Sequence, residues 1–69
     1  MHPKQLQELR SAIRQLMFYA DQMGIPQSQR AEKIEQKINL QRAPGTTDSE
    51  YSAFKAEIRK LIEDMLAGR

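Results

Sequence analysis

The side chains of this sequence that could do chemistry are mainly cations on one short segment. Arg30, Lys33 and Lys37 recur at steps of three and four residues, which places them on one flank of a helix, and Arg42 follows. Cations spaced in this way could contact a few phosphates of a nucleic acid. The alternative is a solvated flank that balances the neighbouring carboxylates, and a net charge of only +2 favours it.

Residue types that are typical of catalysis occur, but they do not form a site. The serines have only His2, close to the N-terminus, as a base, so we expect no catalytic triad. Glu63 and Asp64 are adjacent and therefore point apart on a helix, while Glu32 and Glu35 are expected on a solvent-facing flank. A helical chain of 69 residues is also expected to lack a cleft of about 300 Å³. We therefore expect no enzymatic activity.

The composition limits what can stabilise a chain of this length. Residues 1–69 are expected to form a single helical domain, whose solitary core would be marginal. Cysteine is absent and histidine occurs once, so we expect no disulfide, no metal site and no cofactor. A partner chain is the remaining source of stability. No apolar run approaches the roughly 18 residues of a membrane span and no signal peptide is evident, so a cytoplasmic location is the expectation.

Two long segments carry apolar residues at the spacing of one helix face. The first predicted helix covers residues 3–23, beginning with Pro3 and ending before Gly24, which suits a left-handed cap. Its seam advances by alternating steps of three and four residues, as in a coiled coil, and comprises Leu6, Leu9, Ile13, Leu16, Ala20 and Met23.

The other long helix is predicted at residues 48–67. Thr47 and Glu50 have the spacing of a capping box, in which the threonine hydroxyl and the glutamate each accept a hydrogen bond from an otherwise free backbone amide. The apolar stripe of this helix comprises Tyr51, Phe54, Ile58, Leu61, Ile62, Met65 and Leu66. The seams of the two long helices are expected to face each other.

A shorter helix is predicted at residues 27–39, between the long ones. Its apolar face is thin and consists of Ala31, Ile34 and Ile38. The Pro44-Gly45 pair predicts the turn that follows. The predicted fold class is all-α: an antiparallel helical hairpin of residues 3–23 and 48–67, with the short middle helix packed across or beside it.

The segment GIPQSQRAEKI resembles the turn and following helix of the phage-repressor type of helix-turn-helix. The resemblance rests on Gly24, Ile25, Gln27 and Ala31. It implies a recognition helix within a few residues, inserted in the major groove of DNA. Two positions depart from the pattern, because Arg30 stands where that family buries an aliphatic residue and Glu35 stands where it has glycine. The next predicted helix also begins with acidic residues, which phosphates repel, so we interpret the segment as an ordinary helix break.

One aromatic residue departs from the amphipathic pattern of the first helix. At about 100° per residue, Phe18 falls almost opposite the centre of the seam, among polar neighbours. Either the middle helix or the loop covers it, or it is an exposed anchor for another protein. A covered position is the commoner case, and the anchor is the hypothesis that we carry forward: it predicts a partner-binding surface that consists of Phe18, Arg14, Tyr19 and Met17.

These observations favour a small protein-binding regulator, such as an adaptor, an escort or an inhibitor, that acts by occupying a partner's surface. Short helical chains without cysteine are common among small bacterial regulators and mobile-element products. Apolar edges left at Met17, Met65 and Leu66 predict a homodimer resembling a four-helix bundle. The alternatives are a nucleic-acid-binding regulator that uses the basic flank of the middle helix, and a structural subunit that only assembles with itself.

Overall fold

The computed structural model describes residues 3–38 and 42–68, and within them all regular secondary structure is helical. The helices are α1 (Pro3–Gln22), α2 (Gln27–Lys37) and α3 (Asp48–Leu66). The prediction of two long helices around a short one is confirmed, and most predicted ends agree within one residue. α2 ends earlier than predicted because Ile38 is already extended; the predicted end at Asn39 lies outside the described residues.

The corner between α1 and α2 is a Schellman motif, which satisfies the last carbonyls of α1. Gly24 has a φ of +67°, a conformation that side chains with a Cβ rarely adopt. The N–H of Ile25 donates to the Ala20 carbonyl at 3.0 Å, and the N–H of Gly24 donates to the Asp21 carbonyl at 3.2 Å. The glycine therefore ends α1 as predicted and redirects the chain into α2.

A tight turn and a side-chain cap start α3. The N–H of Thr46 donates to the Ala43 carbonyl at 3.2 Å, and Gly45 between them has a φ of +84°. The threonine half of the predicted capping box is confirmed, since the Thr47 hydroxyl accepts a hydrogen bond from the N–H of Glu50 at 3.1 Å. Asp48 and Glu50 lie in the first turn, where their charges suit the helix dipole.

The core is a cluster of four isoleucines contributed by all three helices. They are Ile13 of α1, Ile34 of α2, and Ile58 and Ile62 of α3, each at most 2% exposed. The close approaches of the backbone connect α2 with α1 and α2 with α3. The short helix therefore makes the closest backbone approaches to both long helices, and Ile13 of the α1 seam meets the isoleucines of the α3 stripe in the shared core. The molecule is elongated, with extents of 39 × 23 × 19 Å.

Candidate functional site

Phe18 lies on the surface of α1, with 65% of the residue exposed. Because each residue advances the helix by about 100°, the side chain of Phe18 projects roughly opposite the buried Ala20. The alternative considered from the sequence, that α2 or the loop covers Phe18, is therefore wrong for the described chain. Arg14, one turn earlier on the same helix, is also exposed. Aromatic residues and arginine are enriched at interface hot spots.

The other two residues predicted for this surface lie elsewhere on α1. Met17 is half-buried and packs against the isoleucine cluster, where it lines a shallow depression together with Met65 of α3. Tyr19 points about 100° away from Phe18 and contacts α2 through Lys37, whose Nζ is 4.8 Å from the centre of the tyrosine ring. Phe18 and Arg14 therefore form one exposed face, and Met17 and Tyr19 flank it on opposite sides.

An open groove of about 650 Å³ runs along α1 beside the end of α2. We call it the α1 groove, and its lining residues are Gln5, Glu8, Leu9, Ala12, Gln15, Leu16, Tyr19, Lys37 and Ile38. Contrary to the expectation that a cleft of about 300 Å³ would be lacking, a groove of this size is present, and it is open to solvent and not enclosed. The reason is that α2 is only 11 residues long, so it covers α1 over part of its length, and no other described residue covers this flank of the α1 seam.

The groove was missed from the sequence because its residues do not form a continuous apolar stripe. Leu9 and Leu16 were assigned to the core seam, and both are half-buried against the core. Ala12 was not assigned to any site, yet it is exposed in the middle of the groove. Leu9, Ala12, Leu16 and Tyr19 are separated by three or four residues and therefore share one helix face. That spacing is the signal that could have identified the groove.

Most members of the predicted phosphate-binding cluster have partners within the chain. Arg30 donates from Nε to the Ile25 carbonyl at 2.8 Å and forms an ion pair with Asp21, which ties α2 to the end of α1. Arg42 donates to the Thr46 carbonyl, at 2.6 Å from one terminal nitrogen, and pairs with Asp48 at 2.7 Å.

The remaining two residues of the predicted cluster do not extend it. Lys37 lies over the ring of Tyr19, as described above, and Lys33 is exposed on α2. Arg30 pairs with Asp21 in the last turn of α1, whereas Arg42 pairs with Asp48 at the start of α3, so the two arginines are directed to different acidic side chains. Phosphate binding by this flank stays a prediction, with little in the geometry that favours it.

Glu35 faces α3, contrary to the expectation that it lies on a solvent-facing flank. Its carboxylate accepts a hydrogen bond from Arg59 at 2.6 Å, and the glutamate side chain is only 22% exposed. This hydrogen bond raises the pKa of Arg59 above its ordinary value, so the guanidinium stays charged. The pair fastens α2 to α3, which explains why a charged residue stands where a helix-turn-helix would have glycine.

The described residues contain no arrangement that indicates metal binding or a membrane span. Within residues 3–38 and 42–68, no three His, Cys, Asp or Glu side chains are grouped so as to hold a metal ion. Over the same residues, no helix has both the length and the apolar character needed to cross a bilayer. No protein family, no curated protein and no solved structure matches this chain. A proposal for the function therefore has to rest on the surfaces of α1.

Proposed function

We propose that the protein is a small protein-binding regulator that acts by occupying the surface of another protein. The observation that carries this proposal is Phe18, a large aromatic side chain that is 65% exposed on an otherwise polar face of α1. Truncating an exposed aromatic costs the fold little, whereas inserting it into a partner's pocket can supply much of a binding energy.

The surroundings of Phe18 define the chemistry of a suitable partner. Arg14 lies one turn before it, and Gln22 lies one turn after it, both exposed. The complementary surface is an apolar pocket that accepts the ring, with a carboxylate at the side that meets Arg14. Such a site needs no cofactor and no catalytic group on this chain.

The dimer predicted from the sequence belongs to the same proposal. A chain of 69 residues with one small isoleucine core gains stability when its remaining apolar surface is covered by a second copy. Two copies would combine their long helices, α1 and α3 from each, as antiparallel hairpins in an assembly that resembles a four-helix bundle.

The experiment that tests the function is affinity capture from a lysate of the source cell, with nuclease present. The wild-type protein is compared with Phe18→Ser and with Gln29→Ser, a control at an exposed position of α2 outside the proposed surface. We expect a protein that wild type and Gln29→Ser both capture and that Phe18→Ser loses. Calorimetry then measures the binding of that protein to the purified wild type and to Phe18→Ser, and the difference gives the contribution of Phe18 to the affinity.

The two alternative functions predict different outcomes of the same experiment. A nucleic-acid-binding regulator would lose its captured material when nuclease is added, and its affinity would fall steeply between about 50 and 200 mM salt. A structural subunit would capture only its own chain and would keep growing beyond a dimer in light scattering as concentration rises. Equal capture by wild type and Phe18→Ser would contradict the role of Phe18.

A further inference from the structure

We propose that a depression between α1 and the end of α3 binds a helical segment of a partner protein, one that carries carboxylates one turn apart beside apolar side chains. We call it the methionine depression, and its lining residues are Arg10, Arg14, Met17, Met65 and Gly68. This inference rests on the proposed function in one respect, namely that the partner is a protein, and it adds the chemistry of the segment that is bound. It does not depend on Phe18.

The two arginines of the methionine depression differ from the other arginines of the described chain. Arg30, Arg42 and Arg59 each pair with a carboxylate. Arg10 and Arg14 are exposed, and neither makes a hydrogen bond or an ion pair with any described residue. The capacity of this depression to bind carboxylates is therefore unused within the described chain.

The sequence of α1 also gives these two arginines no local partner. The residues three and four positions away from each are uncharged, apart from the two arginines themselves. Two like charges one turn apart slightly destabilise a helix, so the pair weakens the fold without contributing a contact to it. A bound anion relieves this repulsion, and a carboxylate has the geometry that a guanidinium fork matches.

The floor of the depression favours a protein segment over a nucleic acid. Met17 and Met65 line it, one from each long helix, and both are half-buried. Together with the arginines they enclose about 340 Å³, which an apolar side chain can enter. Methionine adapts to apolar side chains of different shapes, whereas the phosphates of a nucleic acid would lose hydration beside it.

The spacing of the two arginines fits a helical segment. Arg10 and Arg14 are one turn apart on α1, so their side chains begin about 5–6 Å from each other. Carboxylates four residues apart on a partner helix have the same spacing, and the apolar edge of that helix can then face the methionines. An amphipathic helix that lies in a groove of its receptor is a common mode of peptide recognition.

A second copy of this chain fits the methionine depression less well. A two-fold axis through the depression would bring Arg10 and Arg14 of one copy against the same arginines of the other. Like charges that face each other across an interface weaken association. The homodimer proposed above would therefore use another surface.

The test is a titration with a synthetic peptide, followed by the NMR signals of the methionine methyl groups. The peptide is an alanine-rich helix with two glutamates one turn apart and leucines on the adjoining edge. At concentrations up to about 1 mM, it should shift the signals of Met17 and Met65. Met23 is 63% exposed and lies outside the depression, so its signal should not move and is the internal control.

Two matched peptides separate the contribution of charge from that of apolar contact. In one peptide glutamines replace the glutamates, and in the other serines replace the leucines. We expect each replacement to weaken binding by roughly tenfold or more, because the first removes the charged hydrogen bonds to arginine and the second removes the buried apolar surface. A glutamine peptide that binds as tightly as the glutamate peptide would overturn the role of the two arginines.

Arg10→Glu tests the depression from the side of the chain, and Lys55→Glu is the control with the same change of charge. Arg10→Glu places a carboxylate one turn before Arg14, which is a favourable pair, so this variant should fold at least as well as wild type. Lys55 is exposed on α3 and lies outside the depression. Binding of the glutamate peptide should fall by roughly tenfold or more in Arg10→Glu and stay unchanged in Lys55→Glu. Equal binding by the two variants would contradict the proposal.

Three further outcomes would overturn the assignment of the occupant. Unchanged signals of Met17 and Met65 with the glutamate peptide would show that the depression does not bind such a segment. Shifts produced by a single-stranded DNA oligonucleotide, and not by the peptide, would assign the depression to nucleic acid. Shifts that appear when the protein alone is concentrated would assign it to a second copy.

Failure of this proposal is distinguishable from failure of the proposed function. Phe18→Ser should bind the glutamate peptide like wild type, because Phe18 projects about 100° away from Met17; a loss of peptide binding in that variant would overturn the assignment of the depression. Capture that does not depend on Phe18, together with shifts of the methionine signals, would remove the role of Phe18 and leave the depression. Capture that depends on Phe18, without peptide binding, would leave the proposed function and overturn this inference.

Discussion

The two long helices are nearly equal in length and have similar apolar seams, yet they use those seams differently. Every apolar residue of the α3 stripe is at least half-buried. The large apolar residues that the structure shows as exposed all lie on α1 or at its end: Leu6, Phe18, Tyr19 and Met23. α3 therefore builds the core, and α1 divides its apolar surface between the core and the solvent.

The contacts of α2 account for this difference. α2 is fastened to α3 by the Glu35–Arg59 pair and by Ile34, which is buried with the isoleucines of α3. Its links to α1 are the Arg30–Asp21 pair at the corner, the contact of Lys37 with the ring of Tyr19, and the packing of Ile34 against Ile13. A short helix held in this way covers α3 well and covers α1 only in part. In a small domain of this kind, binding surfaces are expected on the helix that its neighbours cover least.

The largest loss of stability should come from replacing a core residue of α3. Ile62 is fully buried, so Ile62→Ala should lower the free energy of unfolding by about 2–5 kcal/mol. Leu6→Ala, at a seam position of α1 that is 36% exposed, should cost about 1 kcal/mol or less, because less apolar surface is lost from the interior. Urea denaturation at one fixed protein concentration measures both.

The total stability of a domain this small is only about 3–5 kcal/mol, so Ile62→Ala could unfold the chain. Ile62→Val, expected to cost about 0.5–1.5 kcal/mol, keeps the comparison measurable. If Leu6→Ala destabilised the protein as much as Ile62→Ala, the difference between the two helices would be contradicted.

The next largest loss of stability is expected at the ion pairs that join α2 to its neighbouring helices. Glu35→Ala leaves Arg59 without its carboxylate, and the Nε of Arg59 already has no hydrogen-bond partner. For a half-buried pair we expect a loss of about 1–2 kcal/mol, between the values for exposed and buried pairs. Asp21→Ala removes the partner of Arg30, but Asp21 is 65% exposed, so its loss should be smaller. If thermal unfolding showed a larger loss of stability for Asp21→Ala than for Glu35→Ala, α2 would be held more firmly to α1 than to α3.

A comparable or smaller effect is expected at the start of α3. Thr47→Ala removes the hydroxyl that accepts the N–H of Glu50 and should cost about 1 kcal/mol. Thr47→Ser keeps that acceptor and is the control, with an expected change of a few tenths of a kcal/mol. Chemical denaturation followed by far-UV circular dichroism measures both. Equal losses in the two variants would mean that the threonine methyl group, and not the hydrogen bond, stabilises the start of α3.

The smallest effect on stability is expected from Phe18→Ser. Because Phe18 is 65% exposed, the free energy of unfolding should change by no more than about 0.5 kcal/mol. The same variant is expected to lose the captured partner, so stability and binding should separate at this residue. A loss of several kcal/mol would instead place Phe18 in a packed environment and would remove it as a binding anchor.

The sequence predicted the helices well because their ends depend on local chemistry. Gly24 ends α1 by adopting a positive φ, and Thr47 starts α3 by capping it. These signals involve residues close together in the chain, as does the spacing of three and four that predicted the buried positions Ile13, Ile34 and Ile58. The exposure of Phe18 also agrees with its place on the helix wheel, since nothing in the described chain reaches over it.

What the sequence did not predict depends on contacts between helices. Glu35 looked solvent-facing because its partner Arg59 is 24 positions away along the chain. The spacing of Leu9, Leu16 and Tyr19 places them on one helix face, but it does not show that α2 is too short to cover that face, which depends on how the helices pack. Arg30 and Arg42 looked like members of one cluster, but side-chain length lets each reach a different acidic residue.

The position of α2 between its two sequence neighbours has a consequence for how fast the chain folds. Most close approaches of the backbone join residues that are near in sequence, so little chain has to be closed into loops before native contacts form. Helical domains of this kind fold in roughly microseconds to milliseconds. Pairing of two copies depends on encounter and therefore on concentration, so the subunit should acquire its structure well before it meets a second one.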